Sequence, residues 1–290
     1  MMPELPEVEV IVRGLRKSVE GLTIAGIGIN FPEIIKGGNQ RNIHRLKGKR
    51  INHISRKGKY ILTEFSEGER MLTHLGMTGK LLVVPSETEL PDHSHVIIEF
   101  KENSRYLIFN DIRKFGKMVI DDKGGKIESI IGSLGADPLK ISADEFVDIL
   151  SSHKKMIKSL LLDQSIVAGL GNIYVDESLY DAGIHPKTIS CEIKPEYAEK
   201  LHASIQNILK SAIKAGGSSI RDFVSENGDA GYFQIEHKIY GKAGQECPRC
   251  GSIFEKIKVG SRTSSICVNC QPPPMPKSSP EVYRDCWWGQ

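Results

Sequence analysis

The first ten residues, Met1-Met2-Pro3-Glu4-Leu5-Pro6-Glu7-Val8-Glu9-Val10, crowd two prolines and three carboxylates into one short span. A proline with a free terminal nitrogen is a secondary amine. Added to an aldehyde-like carbon, it gives an iminium ion that keeps its positive charge without an external acid. Such a cation is an electron sink for elimination chemistry of the Schiff-base kind. The same residues also read as the first turn of a helix, with Pro6 pre-set for helical φ and Glu7 and Glu9 near the positive end of the dipole.

A second set of residues points to metal. Cys247, Cys250, Cys267 and Cys270 form C-x2-C-x16-C-x2-C. Each C-x2-C turn can offer two thiolates to one ion, and the intervening residues suit a hairpin that returns the second pair. Four thiolates close a tetrahedral zinc site with no open position, so the predicted zinc is single and structural. A redox dithiol is the competing reading of a Cys-x-x-Cys pair. Cys191 and Cys286 stand apart and read as ordinary thiols. His93 and His95 read as a core or surface pair in preference to a second metal site.

Composition limits what these residues can serve. The chain has 290 residues, 39% hydrophobic and 26% charged, with mean hydropathy −0.25. That length suits one large or two ordinary domains. No apolar run is long enough for a membrane helix, and the N-terminus lacks the basic-then-apolar pattern of a secretory signal. The expected location is cytoplasmic. Net charge is only +3, but residues 237–270 hold six Lys/Arg against Glu246 and Glu255, a local +4. A basic face on one module is the electrostatic footprint of nucleic-acid binding.

The elements that must position these groups follow from periodicity. Val8, Ile11, Val12, Leu15 and Val19 share one face of a helix from Pro6 to Val19. Short strands follow at Ile24–Ile29, Gly48–Ser55, Tyr60–Phe65, Arg70–Leu75, Lys80–Val84, His95–Phe100, Tyr106–Asn110 and Lys117–Ile120, punctuated by turn residues. They predict a two-sheet sandwich or barrel-like β domain. Near Gly135-Ala136-Asp137-Pro138 the texture becomes helical. One helix is marked by Met156, Ile157, Leu160 and Leu161. A second opens after the glycine turn at Val167–Tyr174 and stops at Gly183. A third follows Tyr197, Leu201, Ile205, Ile208, Leu209 and Ala212. A tight glycine turn before a helix can hold phosphate on backbone N–H groups, although the same texture serves in pure scaffolds. The class is α+β. The predicted modules are residues 1–135, 136–235 and 236–271, with a Pro- and Ser-rich tail over 272–290 that reads as disordered.

Taken together, several segments carry a resemblance. Pro3-Glu4-Leu5-Pro6-Glu7-Val8-Glu9, Arg56-Lys57-Gly58-Lys59-Tyr60, His74-Leu75-Gly76-Met77-Thr78-Gly79, Asn110-Asp111-Ile112-Arg113-Lys114-Phe115-Gly116, Leu161-Leu162-Asp163-Gln164, Gly169-Leu170-Gly171-Asn172-Ile173-Tyr174 and the four cysteines occur in one order. The chain from 3 to 271 closely resembles formamidopyrimidine-DNA glycosylase, the bacterial-type repair enzyme for oxidised purines. The resemblance implies an N-terminal β-sandwich with its helix, a helix–two-turn–helix domain and a zinc finger, with damaged double-stranded DNA bound in the cleft between them by a monomer in the nucleoid.

What the resemblance implies for residues is specific. Pro3 would attack C1′ of a damaged nucleotide such as 8-oxoguanine or a formamidopyrimidine, and the iminium would permit β- and then δ-elimination. Glu4 would be the general acid and base, with Glu7 a supporting carboxylate. Met77, Arg113 and Phe115 would fill the void left by the extruded base, Arg113 facing the orphaned cytosine. Lys59, Asn172 and Arg262 match positions that grip phosphates around the lesion. Lys59 and Arg262 thus stand with Pro3 and Glu4 at the reacting nucleotide, and His74 in His-Leu-Gly-Met joins the DNA-contacting set. Arg262 is placed in the loop before the second cysteine pair. The segment from Gly216 to Gly231, with Arg221, resembles a loop that closes on the flipped base.

One feature departs from the family pattern. Two methionines precede Pro3, where the family exposes proline after removal of one, and an acylated proline is no nucleophile. A start at Met2 restores the pattern. A non-catalytic damage-binding relative and an endonuclease VIII-type enzyme for oxidised pyrimidines are the competing functions. Leu5 and the Met77, Arg113 and Phe115 set favour the purine enzyme.

Overall fold

Apolar residues at helical spacing build the first element. In the computed structural model, which describes residues 2–36, 40–121, 125–216 and 237–274, helix α1 runs Leu5–Val19. Val8, Ile11, Val12, Leu15 and Val19 are all buried along one face, as the periodicity predicts. Arg221, Cys286, the segment 217–231 and the tail beyond 274 lie outside the described residues. Contacts divide the chain into two compact units, Met1–Leu134 with Ala212–Gln234, and Gly135–Ser211 with Ile235–Gln290.

Among the described residues of the first unit nine strands follow α1: β1 (Ile24–Ile29), β2 (Ile35–Lys36), β3 (Ile51–Lys57), β4 (Tyr60–Phe65), β5 (Arg70–His74), β6 (Gly79–Pro85), β7 (Ser94–Phe100), β8 (Arg105–Asp111) and β9 (Lys117–Asp121). They form a four-stranded sheet in the order β1-β7-β8-β6 and a five-stranded sheet in the order β2-β9-β5-β4-β3. The sandwich, not the barrel, is therefore what forms. One core joins both sheets and the helix, with Val8, Ile11 and Leu15 against Ile54, Ile61, Met71, Val96, Ile98 and Phe109. Alternation sends Leu62, Leu72 and Val119 to the opposite face of the larger sheet. There they bury Ile127 of helix α2 (Gly125–Gly132). The eight predicted strands form within three residues of their predicted ends. Strand β2, paired parallel with β9, is too short to show a period, and α2 carried no distinct signal.

The second unit holds helices α3 (Ala143–Ser151), α4 (Ile157–Leu162), α5 (Asn172–Ala182) and α6 (Pro195–Lys214), then the hairpin β10 (Glu255–Val259) and β11 (Arg262–Ile266). Helix α3 lies outside the predicted helices, and Ser142 and Glu145 form a reciprocal capping box at its start, with Ser142 N–H donating to Glu145 at 2.9 Å. That spacing is a readable start signal. Gly183 ends α5 in the left-handed region at φ 77°. The cysteine segment does not hang free of the helices. The buried carboxylate of Glu177 accepts N–H bonds from Lys238 (2.9 Å), Ile239 (2.9 Å) and Tyr240 (2.8 Å). Arg249 donates to the Tyr180 carbonyl at 2.8 Å and to Asp181 at 2.9 Å.

Glu177→Ala strips an acceptor from three backbone donors at once. It should lower the unfolding free energy by about 2–4 kcal/mol, read from the urea midpoint of the full chain. An unchanged midpoint contradicts this account of how the cysteine segment is held.

Candidate active site and metal centre

Pro3 lies directly ahead of α1 and is partly exposed. Glu4 is the N-cap residue and Glu7 occupies the third helical position, so the two form a capping box. Glu7 Oε2 accepts the Glu4 N–H at 2.9 Å. Both carboxylates are almost fully buried, Glu4 at 3% and Glu7 at 4% exposure. The helix-start reading of the N-terminus is what forms, and it holds Glu4 beside Pro3. Glu9 in the next turn bonds Arg13 at 3.0 Å and Arg56 of β3 at 2.9 Å. Burial opposes its ionisation, but these two guanidinium partners hold its carboxyl below the usual range. The Arg56 bond ties the start of α1 to the strand that leads into Lys59.

Lys59 sits in the turn between β3 and β4 and is buried, so it is not a solvated surface lysine. Tyr60, His74 and Lys117 pair across three adjacent strands. The His74 ring lies 4.8 Å from that of Tyr60. Burial, followed by the charges of Lys117 and Lys59, pushes His74 down to about 4. Its imidazole is therefore neutral near pH 7. Because Nδ1 accepts the Gly76 N–H at 3.1 Å, the ring proton resides on Nε2, which is left as a donor.

Two turns bring the proposed wedge residues into one place. Met77 occupies the turn between β5 and β6, and Arg113 and Phe115 occupy the segment between β8 and β9. Gly76 has φ +65°, and a Cβ there would lie 2.6 Å from the Gly116 nitrogen and the Phe115 carbonyl carbon. The two backbones therefore touch, and only glycine fits. Phe115 is 56% exposed, with the Arg113 guanidinium 4.6 Å from its ring centre. A large aromatic held outward in this way is available for stacking. Asp111, quoted only as part of a motif in the sequence, is fully buried between the turns and accepts the Gly116 N–H at 2.7 Å. His95 is a satisfied core residue whose Nε2 donates to the Asp111 carbonyl at 2.7 Å, and exposed His93 adopts φ 64°. No metal cluster includes either among the described residues.

In the second unit Gln164 shapes the glycine turn. Its amide donates to the carbonyls of Leu162 (3.0 Å) and Leu170 (2.9 Å) and accepts the Gly169 N–H at 3.0 Å. Helix α5 then starts at Asn172 with Gly171 as N-cap. Asn172 Nδ2 donates to the Thr263 carbonyl at 3.1 Å, which brings Asn172 beside Arg262. Arg262 is exposed and is not in a loop: it opens β11, paired with Val259 across the hairpin turn. Below it, fully buried Lys158 bonds Asp176 at 2.6 Å, the Thr263 carbonyl at 3.3 Å and the Ser264 hydroxyl. Periodicity placed Lys158 on a helix but gave no sign that its charge is buried. Desolvation raises Asp176 to about 6 despite the lysine.

The four cysteine sulfurs all lie within 4.8 Å of one another, Cys247 to Cys270 at 3.8 Å and Cys250 to Cys267 at 3.4 Å. Zinc–sulfur bonds of about 2.3 Å imply tetrahedral edges of about 3.8 Å, so the cluster fits one zinc ion. The Tyr180 hydroxyl is 3.2 Å from Cys247, and the Tyr180 ring packs edge-on to Phe254 at 5.7 Å. The metal site is thereby fastened to α5.

The comparisons with known proteins agree with this arrangement. The family model for the formamidopyrimidine-DNA glycosylase N-terminal domain matches residues 2–118, that for its H2TH domain residues 134–224, and that for a zinc finger found in FPG and IleRS residues 244–273. The formamidopyrimidine-DNA glycosylase of Lactobacillus gasseri is 40% identical over 273 residues, covering 93% of this chain and 99% of that protein. That of Bacillus subtilis is 38% identical over 278 residues, covering 93% and 99%. The crystal structure of Lactococcus lactis Fpg with DNA containing N7-benzyl-Fapy-dG matches at TM-score 0.84 and 37% identity, covering 93% of this chain and all of that one. A complex of the same enzyme with abasic-site DNA matches at TM-score 0.84.

Two measurements test this geometry. The purified chain should carry about one zinc per molecule, and Cys267→Ser should lose most of it with a lower melting temperature; a stable metal-free wild type contradicts the site. His74 binds its proton less tightly when folded, so its contribution is complete above its usual pKa and is lost as pH falls towards 4. Relative to His74→Gln, the wild type should lose roughly 3 kcal/mol between about pH 6.5 and 4, read from urea midpoints. Parallel pH profiles rule out the burial of a neutral His74.

Proposed function

The chain belongs to the formamidopyrimidine-DNA glycosylase family, and from that membership we propose how its residues perform the repair reaction. It is a base-excision repair DNA glycosylase whose partner is damaged double-stranded DNA. The observation that carries the residue assignment is the helix start itself. Pro3 projects just before α1 while the Glu4 carboxyl, buried and engaged with Glu7, is held at the adjacent position.

In this reading the Pro3 nitrogen adds to C1′ of the lesion nucleotide. The glycosidic bond breaks, and its electron pair leaves with the base, which takes up a proton. Glu4 delivers a proton to the sugar ring oxygen as the C1′–O bond opens, leaving an iminium between C1′ and the Pro3 nitrogen. Loss of a C2′ proton expels the 3′ phosphate. Loss of a C4′ proton then expels the 5′ phosphate, and water releases the sugar remnant and regenerates the amine. Oxidised purines such as 8-oxoguanine and formamidopyrimidines are the substrates. The Lactococcus lactis Fpg complexes with DNA containing N7-benzyl-Fapy-dG and with abasic-site DNA support that class.

Phosphate binding falls to Lys59, Asn172 and Arg262. The placement of Asn172 at the start of α5 supports this, since the positive end of a helix favours an anion. Met77, Arg113 and Phe115 enter the stack as the lesion leaves it, and His74, neutral with an Nε2 donor, joins the DNA contacts. The zinc held by the four cysteines supplies constraint and no reacting position. It keeps the hairpin that begins Arg262 in shape. The modules are taken as 1–135, 136–235 and 236–271, supported by the three family matches. A monomer acting on nucleoid DNA in the cytoplasm is the form in which we place this work. Its thiolate site suits a reducing compartment.

Borohydride trapping on a duplex with 8-oxoguanine opposite cytosine tests the reading, using protein that begins at Pro3. The expected result is a covalent adduct mapped by mass spectrometry to Pro3, with much less adduct on a thymine glycol duplex. An adduct elsewhere, or none, removes Pro3 from the chemistry; preference for thymine glycol reverses the substrate class.

A further inference from the structure

Asp111 is a fully buried carboxylate at the end of β8 that the reaction scheme does not use. Its Oδ2 accepts the Gly116 N–H at 2.7 Å. Its Oδ1 accepts the Thr78 hydroxyl and the Arg113 N–H, the latter at 3.2 Å. The Arg113 N–H also reaches Thr78 Oγ1 at 3.1 Å. One carboxylate therefore spans two turns that are remote in sequence. Thr78 follows Met77 directly, and Arg113 and Gly116 bracket Phe115. The Asp111 backbone is held as well: its carbonyl accepts His95 Nε2 at 2.7 Å and the Lys114 N–H at 3.3 Å. Lys114 is kept at φ +57°, a conformation that a lysine adopts only when its surroundings impose it.

We propose that Asp111 is the positioning residue that locks the Met77 turn to the Arg113–Phe115 turn, so that the three side chains enter DNA as one rigid wedge. The proposal rests on the repair function above. Arg113 and Phe115 are exposed and Met77 is half-buried, with the Arg113 guanidinium 4.6 Å from the Phe115 ring centre. Inserting a flexible side chain into a base stack costs its rotamer and backbone freedom at the moment of binding. The Asp111 bonds meet that cost during folding. Asparagine keeps the volume but cannot accept on both sides. Whichever way its amide turns, an NH2 faces either the Gly116 N–H or the Arg113 N–H.

The test uses Asp111→Asn, Thr78→Ala and Thr78→Ser in the full zinc-loaded chain. Asp111→Asn should slow single-turnover excision of 8-oxoguanine opposite cytosine by about tenfold or more, the scale of one lost buried hydrogen bond. On a duplex with a preformed abasic site there is no stacked base to displace, and its borohydride trapping should fall by about threefold at most. A 2-aminopurine reporter beside a tetrahydrofuran site should brighten less on binding Asp111→Asn than on binding the wild type. Thr78→Ala should shift all three readouts in the same direction, and Thr78→Ser should restore them. Equal losses on the two duplexes with an unchanged reporter overturn the proposal, as does excision at the wild-type rate. If Asp111→Asn fails to fold, the Thr78 pair decides, and identical behaviour of Ala and Ser overturns it. A wild type that excises nothing refutes the repair reading instead, while the reporter still decides whether the wedge is locked.

Discussion

A carboxylate buried away from water costs several kcal/mol unless hydrogen bonds replace its hydration, and this chain meets that requirement repeatedly with backbone N–H groups. Glu7 accepts the N–H of Glu4, Asp111 those of Arg113 and Gly116, and Glu177 those of Lys238, Ile239 and Tyr240. Each acceptor converts an irregular stretch into a defined one. The stretches so defined include those proposed to act: the residues around Pro3, the turn of the proposed wedge, and the entry to the zinc site. The candidate residues Pro3, Lys59, Met77, Arg113 and Phe115 lie outside strands and helices, and buried anions give such segments the rigidity that strands and helices have from their own ladders.

The cations are arranged by the same economy of burial. Lys158 is fully buried, yet Asp176, Ser264 and the Thr263 carbonyl surround its ammonium group. It acts as a bolt between α4, α5 and the hairpin. Removing one partner from such a set leaves an uncompensated charge, which is far costlier than never having buried it. Lys59 is also buried, but the neighbouring His74 is held neutral by burial and by the Lys59 and Lys117 charges. A neutral histidine adds a hydrogen-bond donor without a further cation. The zinc-site geometry extends the same logic, since four thiolates in contact are tolerable only with a metal between them.

The helix of residues 5–19, the eight longer strands, the zinc ligands and the order of the family motifs were legible in the chain, because each has a short-range signature. Hydrophobic period 3.6 or 2, C-x2-C spacing and Pro-Glu placement survive in one dimension. Strand β2 and helix α2 are not legible in the chain, because two residues show no period and a short helix on a sheet face gains its stability from Leu62, Leu72 and Val119, which are remote in sequence. Arg262 opens a strand because its pairing with Val259 closes a tight hairpin, a pairing that local composition does not reveal.

By itself, then, the sequence determined the family, the α+β class, the zinc ligands and the identity of the candidate reacting groups. These depend on residue types at fixed local offsets. Tertiary structure alone decided that Lys59 and Lys158 are buried, that His74 is neutral, that Glu7 fixes Glu4, and that Asp111 joins two turns. Each of those outcomes depends on which distant backbone and side-chain groups replace water around a polar atom, and burial of that kind is a property of the packed chain.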